Sequence, residues 1–190
     1  MPFAISPKPY TIFIMKLLLH ICCAPCTMFP ARILREEGVE LLGFFFNPNI
    51  HPYQEYQKRL DALREYTANQ GLNVLVSEGY PMEDFLRGLV QSEGDRCAFC
   101  YTHRLQAAAV IANREGIRYF STTLLYSRYQ KHDLARDIGE EIARTYGLKF
   151  YYRDFREGWT EGQRKARESG LYRQKYCGCI YSEKDRFFKG

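Results

Sequence analysis

The sequence lacks an apolar run long enough to cross a bilayer. A membrane helix needs about 20 apolar residues, whereas the best candidate, residues 12–21, is shorter and contains Lys16 and His20. The run also lacks the small-residue cleavage site of a secretory signal and leads straight into two cysteines. We therefore expect a cytoplasmic protein that does not associate with membranes.

Internal repeats, low-complexity segments and linkers are also absent, so residues 1–190 are predicted to form a single domain. Residues 1–14 carry three prolines and are predicted to form a flexible extension. No glycine-rich loop for phosphate follows a predicted strand, and ATP use is therefore not expected.

Cysteine, in contrast, is abundant, with seven in the chain. Disulfide scaffolds are usually short secreted chains without a core, but this chain is 46% hydrophobic and long enough to build one. Inert buried cysteines would explain one or two of the seven. Six of them instead form close pairs, and this spacing indicates metal or redox chemistry. The pairs are Cys22/Cys23, Cys97/Cys100 and Cys177/Cys179.

The first two pairs have the spacing of metal ligands. Adjacent thiols such as Cys22 and Cys23 cannot easily bridge each other without strain, so we expect each to bind a metal or a cluster atom. Pro25 suits a helix start, where the helix dipole favours thiolate. The C-x-x-C of Cys97 and Cys100 places two sulfurs within reach of one metal or cluster, although thiol–disulfide enzymes use the same spacing.

The third pair permits two interpretations. Gly178 lets the chain bend so that Cys177 and Cys179 can meet as a readily reduced disulfide. Alternatively, both thiolates bind metal. Four thiolates fit zinc or a 4Fe–4S cluster equally well by count, and a redox-active pair close by favours iron–sulfur.

Apolar runs alternate with amphipathic stretches along the chain. Strands are predicted at residues 16–21, 39–46, 72–76, 117–122 and 149–153, and helices at residues 25–37, 53–70, 81–90, 97–115, 131–146 and 160–169. This alternation predicts a three-layer α/β fold, with a mostly parallel, Rossmann-like sheet covered by helices on both faces. Ligands bind beyond the carboxyl ends of such strands, where Cys22 and Cys23 follow the first strand.

Positive charge is concentrated near the end of the chain. Residues 1–148 contain 16 basic and 16 acidic residues, whereas residues 149–190 contain 11 and 6, so the last stretch carries the whole net charge of +5. This asymmetry favours a polyanionic partner for the C-terminal part. The alternative is a solvated basic face without a partner.

Six motifs occur in a fixed order along residues 16–182. They are Leu17-Leu18-Leu19-His20-x-Cys22-Cys23-Ala24-Pro25, Phe46-Asn47-Pro48-Asn49-Ile50-x-Pro52 with Glu55-Tyr56 and Arg59, Arg96-Cys97-x-x-Cys100, Ser121-Thr122-Thr123-Leu124-Leu125, Tyr172-Arg173-Gln174 and Tyr176-Cys177-Gly178-Cys179. Together these motifs resemble those of the QueH-type epoxyqueuosine reductases, which work without cobalamin. The resemblance covers nearly the whole predicted domain and implies a nucleotide-hydrolase-like sheet.

The resemblance implies a catalytic domain that reduces the epoxide of epoxyqueuosine to queuosine at the wobble position of tRNA anticodons. It further implies a 4Fe–4S cluster and a redox-active disulfide pair fed by an external electron donor. Some members hold a lone iron beside the cluster with an Asp where this chain has Cys26, so Cys26 is a candidate ligand of a second iron. The implied cluster ligands are Cys22, Cys23, Cys97 and Cys100, and the implied redox pair is Cys177 and Cys179.

Proton donors to the substrate are expected near the cysteines. The candidates are Asp95, His20, Tyr101 and the thiols of the redox pair, but Asp95 could equally cap a helix and His20 could be a packed strand residue. His51, in the turn of residues 47–52, is a further candidate ligand.

An anticodon loop would be bound through phosphate contacts and base stacking. The expected tyrosines, with simple packing as their alternative role, are Tyr151, Tyr152 and Tyr172, and the expected cations are Arg153, Arg156, Arg164, Lys165, Arg167, Arg173 and Lys175. Two other functions also fit the cysteines alone: a zinc-bound nucleic-acid-binding module without catalysis, and a thiol–disulfide oxidoreductase acting on proteins.

Overall fold

Five parallel strands form the centre of the protein, in a computed structural model that describes residues 14–92 and 95–189. The expected extension at residues 1–14 lies outside the described residues, apart from Ile14. The strands stand in the order β3-β2-β1-β4-β5. Their bounds are β1 Lys16–His20, β2 Glu40–Phe45, β3 Val74–Val76, β4 Tyr119–Thr122 and β5 Lys149–Phe150.

Helices connect the strands and complete the C-terminal part. They are α1 Ala24–Glu36, α2 Tyr53–Gln70, α3 Met82–Gln91, α4 Arg96–Arg114, α5 His132–Tyr146, α6 Trp159–Glu168 and α7 Ile180–Phe187. Short 3₁₀ turns occupy Thr123–Tyr126 and Phe155–Gly158. None of these described helices is both long and apolar enough to cross a membrane.

Alternate side chains of β1 point into two different cores, which shows that the sheet is covered on both faces. Leu17 and Leu19 belong to a core that includes Leu34 of α1 and Leu63 of α2. Leu18, on the opposite face, packs with residues of α4 and α5 in a second core. The predicted three-layer α/β architecture with a parallel sheet is therefore confirmed.

One predicted strand is markedly shorter in the structure, and one helix is additional. The predicted strand over residues 149–153 ends at Phe150, although Tyr151 N–H still donates to Phe120 O at 2.8 Å. Helix α7 is absent from the sequence prediction, because it is only 8 residues long and none of its residues is buried. It begins after Cys179, whose side chain accepts from Ser182 N–H at 3.3 Å and whose carbonyl accepts from Glu183 N–H at 3.0 Å.

The strand order reverses between β1 and β4, because the chain runs outward from β1 through β2 to β3 and then returns to β4. The carboxyl ends of the two strands flanking such a reversal form the usual ligand crevice of open α/β sheets. Cys22 N–H donates to Thr123 Oγ1 at 3.0 Å across this crevice. The first cysteine pair therefore lies where the topology favours a binding site.

A cysteine-lined cavity at the carboxyl edge of the sheet

Three cysteines gather at the junction of β1 and α1. Cys23 caps α1 with an extended backbone, and Cys26 follows one turn later, so the two sulfurs share a face of the helix start. The Sγ atoms of Cys22, Cys23 and Cys26 all lie within 4.8 Å of one another. In the described parts of the chain, this is the only such group of three or more potential metal-ligating side chains.

The crowding of the three sulfurs favours one thiolate among them. The pKa of Cys22 lies well below its ordinary value, because the thiols of Cys23 and Cys26 donate to its sulfur and Arg104 and Thr123 add to the effect. Burial raises the pKa of Cys23, and the hydrogen bond with Cys22 raises the pKa of Cys26. A thiolate flanked by two buried thiols is a site that a metal ion can occupy by displacing their protons.

Gln174 reaches the sulfurs from the loop after α6. Its Nε2 donates to Cys23 Sγ at 2.8 Å and lies 4.0 Å from Cys26 Sγ. Its Oε1 is buried without a hydrogen-bond partner among the described residues. A buried acceptor without a donor is unusual in a protein interior. The unpartnered Oε1 of Gln174 therefore fits a site in which a bound group supplies the missing contact.

Cys97 and Cys100 occupy the first turn of α4, and Asp95 caps this helix. The Asp95 carboxylate accepts from Cys97 N–H at 2.8 Å and pairs with Lys131. The hydrogen bond from Lys131 lowers the pKa of Asp95. Asp95 therefore caps α4, which is one of the two roles considered for it.

Arg104 links the second cysteine pair to the first. It lies one turn after Cys100, is 1% exposed, and donates to Cys100 Sγ at 3.7 Å and to Asn47 Oδ1 at 2.6 Å. Asn47 in turn donates to the carbonyl of Ile21, next to Cys22, at 2.8 Å. Burial raises the pKa of Cys100 to about 12, against the opposing charge of Arg104.

The four sulfurs predicted as cluster ligands do not form one close group in the structure. The close group contains Cys26 in place of Cys97 and Cys100. Burial, with smaller contributions from the charges of Cys177 and Cys179, raises the pKa of both Cys97 and Cys100, so the second and third pairs lie within electrostatic range of each other.

The third pair lies on a loop fastened by side chains. All seven cysteines are free thiols, and Cys177 is exposed to the cavity. Arg59 donates to the carbonyls of Cys177 and Tyr176 at 2.7 and 3.1 Å, while its Nε pairs with Glu55 at 2.7 Å. Gln130 donates to Cys177 Sγ at 3.1 Å.

The remaining candidates for proton transfer or ligation are mostly packed. His20 is fully buried, bonds Thr122 at 2.8 Å, and has a pKa lowered to about 3 by burial and by Arg104, which confirms its packing role. His51 donates to Pro48 O at 3.0 Å within its turn. Tyr101 donates to Gln130 Oε1 at 2.6 Å and thereby contacts the residue that holds Cys177.

A cavity of about 860 Å³ opens above the cysteines. Its lining includes Cys22, Cys26 and Cys177, and its one lining carboxylate among the described residues is Asp185. Four aromatic residues also line it, namely Tyr129, Trp159, Tyr176 and Phe187. Tyr129 is 81% exposed, and the ring of Trp159 meets it edge-on at 5.5 Å. The cavity also presents five surface cations, which we call the basic rim: Arg128, Arg167, Arg173, Lys175 and Arg186.

The seven cations predicted to bind nucleic acid divide into two groups. Arg167, Arg173 and Lys175 belong to the basic rim. The other four face carboxylates: Arg153 pairs with Glu37 and Glu157, Arg156 with Asp154, Arg164 with Glu168 and Lys165 with Glu161. Among the three tyrosines, Tyr151 and Tyr172 donate to Glu37 and Glu55, whereas Tyr152 remains 42% exposed.

The sequence interpretation missed Arg104, Gln130 and Tyr129. Arg104 leaves one signal in the sequence: it is a cation on the face of α4 that is otherwise apolar, beside Leu105 and Ala108. Gln130 and Tyr129 lie in the segment between β4 and α5, where no local pattern distinguishes residues that face the site.

The comparisons with known proteins agree with the resemblance in the motifs. A family model described as "Epoxyqueuosine reductase QueH" matches residues 17–185. A curated relative of that name from Dehalococcoides mccartyi is 38% identical over 92% of this chain and 96% of its own. One from Thermotoga maritima is 37% identical over 89% of this chain and 91% of its own.

Among solved structures, the fold overlaps that of the U34-tRNA thiolase NcsA from Methanococcus maripaludis with its [4Fe-4S] cluster. The overlap covers 82% of this chain and 66% of that one, with a TM-score of 0.44 and 13% identity. A likeness this distant carries no inference about cofactor or substrate.

Proposed function

Because this chain belongs to the QueH family of epoxyqueuosine reductases, we propose that it reduces the epoxide of epoxyqueuosine in tRNA with an iron–sulfur cluster held beside its cavity. The observation that carries this proposal is the group of three sulfurs within 4.8 Å at the strand-order reversal. These three cysteines lie at the edge of the sheet where α/β proteins bind ligands.

The residues around the sulfurs fit an anionic, thiolate-bound cluster. Arg104 is a buried cation whose nearby charges are those of Cys100, Cys22 and Cys177. A buried guanidinium without a counter-charge costs several kcal/mol, and cluster thiolates would supply that charge. The unpartnered Oε1 of Gln174 and the free thiols of all seven cysteines also agree with a site completed by a bound group.

We assign the cluster to the thiolates of Cys22, Cys23, Cys97 and Cys100. Cys26, which lies against the first two, is then the ligand offered to a second, adjacent iron. A bound 4Fe–4S cluster supplies one-electron transfer. Cys26 in place of a carboxylate makes the second site richer in sulfur, which favours softer metals.

The Cys177 and Cys179 thiols match the balance of the reaction. Removing the epoxide oxygen breaks both C–O bonds, leaves a carbon–carbon double bond and releases water, at a cost of two electrons and two protons. Oxidation of the two thiols to one disulfide releases two electrons and two protons. An external electron donor then has to reduce this disulfide before the next turnover.

Among the candidate proton donors, the geometry favours the Cys177 thiol over Asp95 and His20. Cys177 lines the cavity, and desolvation of its sulfur raises the pKa of this thiol. Gln130 holds that sulfur and is itself fixed by Tyr101.

The cavity and its basic rim suit a nucleotide of an anticodon loop. Single-stranded RNA is bound by cations along its backbone and by aromatic faces for splayed-out bases. The basic rim supplies the cations, and Tyr129, buttressed by Trp159, supplies an exposed ring. A modified base turned into the cavity would thus approach Cys22 and Cys177.

The test is anaerobic reconstitution with iron and sulfide, followed by assay on tRNA that contains epoxyqueuosine. We expect a brown protein with a broad absorption band, and conversion of epoxyqueuosine to queuosine in digested tRNA when a reductant is supplied. A zinc module would be colourless, and a thiol–disulfide oxidoreductase would need no metal. A fully iron-loaded protein that leaves epoxyqueuosine intact would contradict the proposed function.

A further inference from the structure

Arg104 occupies an unusual position for a charged side chain. It is among the largest fully buried side chains of the described residues, and the main charges acting on it are those of cysteines rather than of a carboxylate. Its Nε is also buried without a hydrogen-bond partner there. The buried Arg59, in contrast, pairs with Glu55 at 2.7 Å. Of these two buried arginines, Arg59 therefore has a carboxylate partner, whereas Arg104 lies among thiols.

The contacts of Arg104 place its charge between the cysteine pairs. One nitrogen donates to Cys100 Sγ at 3.7 Å, and another is held by Asn47 at 2.6 Å. Asn47 is in turn fixed to the backbone carbonyl beside Cys22. The guanidinium is therefore held rigidly, and its side chain also lines the cavity.

From this geometry we propose that Arg104 is the fixed counter-charge of the iron–sulfur site and raises its reduction potential. The inference rests on the proposed cofactor. Reduction adds one negative charge to a site already rich in thiolates. A buried cation beside those sulfurs stabilises the reduced state more than the oxidised state, because charge interactions are strong where water is excluded.

The experiment compares Arg104→Met and Arg104→Lys with the unaltered protein after anaerobic reconstitution. Iron and sulfide per chain are measured first, and the midpoint potential is then obtained by titration followed by absorption and electron paramagnetic resonance. For Arg104→Met we expect a more negative midpoint, with the reduced-to-oxidised ratio at a given potential lower by about tenfold. Arg104→Lys, which keeps the charge, is expected to remain nearer the unaltered protein.

A matched control removes a cation from the same helix. Arg114 lies at the other end of α4, exposed and paired with Glu115. Arg114→Met makes the same change in net charge, and because solvent screens an exposed charge we expect no shift in the midpoint. Circular dichroism and thermal unfolding of each variant establish that it is folded.

The outcomes separate this inference from the proposed function. If the unaltered protein binds no iron, the proposed cofactor fails. If it binds iron and Arg104→Met has an unchanged midpoint, the role of Arg104 is overturned while the cofactor stands. Loss of iron in Arg104→Met but not in Arg104→Lys supports the counter-charge, whereas loss of iron in both folded variants overturns it.

Discussion

The two ends of the candidate site are built in different ways. Cys22 and Cys23 continue a central strand into a helix, and Cys23 and Cys26 are almost fully buried in the main core. Cys177 and Cys179 lie on a loop before α7, a helix with no buried residue. Core packing holds the first group, whereas hydrogen bonds from Arg59, Gln130 and His51 hold the second.

This difference matches the tasks proposed for the two groups. Cluster ligands must keep their geometry through each electron transfer, and elements in the packed core do so. A dithiol that opens and closes needs local freedom, and segments with few buried apolar contacts are the ones that open most readily. Variants in each group can therefore test whether the two groups have separate tasks.

The largest effect is expected from Cys23→Ala. Losing a buried ligand of the core group should reduce bound iron by more than about tenfold and abolish turnover, as measured by iron content and queuosine formation after anaerobic reconstitution. Cys26→Ala provides the comparison. If Cys26 serves only a second metal, this variant keeps the cluster spectrum and loses at most the additional iron. Normal cluster content in folded Cys23→Ala would refute the ligand assignment.

Cys177→Ser should impair turnover without affecting the cluster. We expect iron content and absorption to remain unchanged, while multiple-turnover activity falls by about a hundredfold or more because both a proton donor and one sulfur of the redox pair are lost. The measurement is steady-state queuosine formation with excess tRNA. Full multiple turnover in this variant would eliminate the redox pair from the mechanism.

Gly178→Ala tests the loop without touching a thiol. Gly178 has φ +145°, and an added Cβ would lie 3.1 Å from Asn49 and 3.3 Å from Arg59. We expect strain of about 1–3 kcal/mol, faster hydrogen exchange around the loop, and lower kcat with normal iron. Gly170→Ala is the matched control, because its φ is +69° but its Cβ would meet nothing within 4 Å. Equal kcat losses in both variants would argue against a positioned loop.

The smallest effect concerns the basic residues. Replacing Arg173 and Lys175 by Gln removes two cations of the basic rim, and should lower the slope of log affinity against log salt by about 0.7 per lost phosphate contact. The same change at Arg164 and Lys165, which already pair with Glu168 and Glu161, should alter the slope less. The measurement is the affinity of both double variants for tRNA at several salt concentrations. Equal changes in both double variants would contradict the assignment of the basic rim.

The parts of this structure that depend on local pattern could be predicted from the sequence. Continuous apolar runs predict the strands of a parallel sheet, and the order of elements places Cys22 at its carboxyl edge. Helix α2 has the predicted bounds, because Gly71 ends it in a left-handed conformation.

Pairing between distant residues could not be predicted in this way. The division of the seven cations depends on which carboxylates lie opposite them, and Glu37, which faces Arg153, is 116 residues away in the chain. The position of Arg104 against Asn47 and Cys100 likewise depends on how α4 packs on the sheet. Local periodicity contains no information about such contacts.

Differential cysteine alkylation, read residue by residue by mass spectrometry, tests the central division most directly. The anaerobically reconstituted protein is labelled before and after iron removal, and with and without a dithiol reductant. We expect Cys22, Cys23, Cys97 and Cys100 to become reactive only when iron is removed, whereas Cys177 and Cys179 should respond to the reductant. Protection of Cys177 and Cys179 by iron, with no response to reductant, would contradict it.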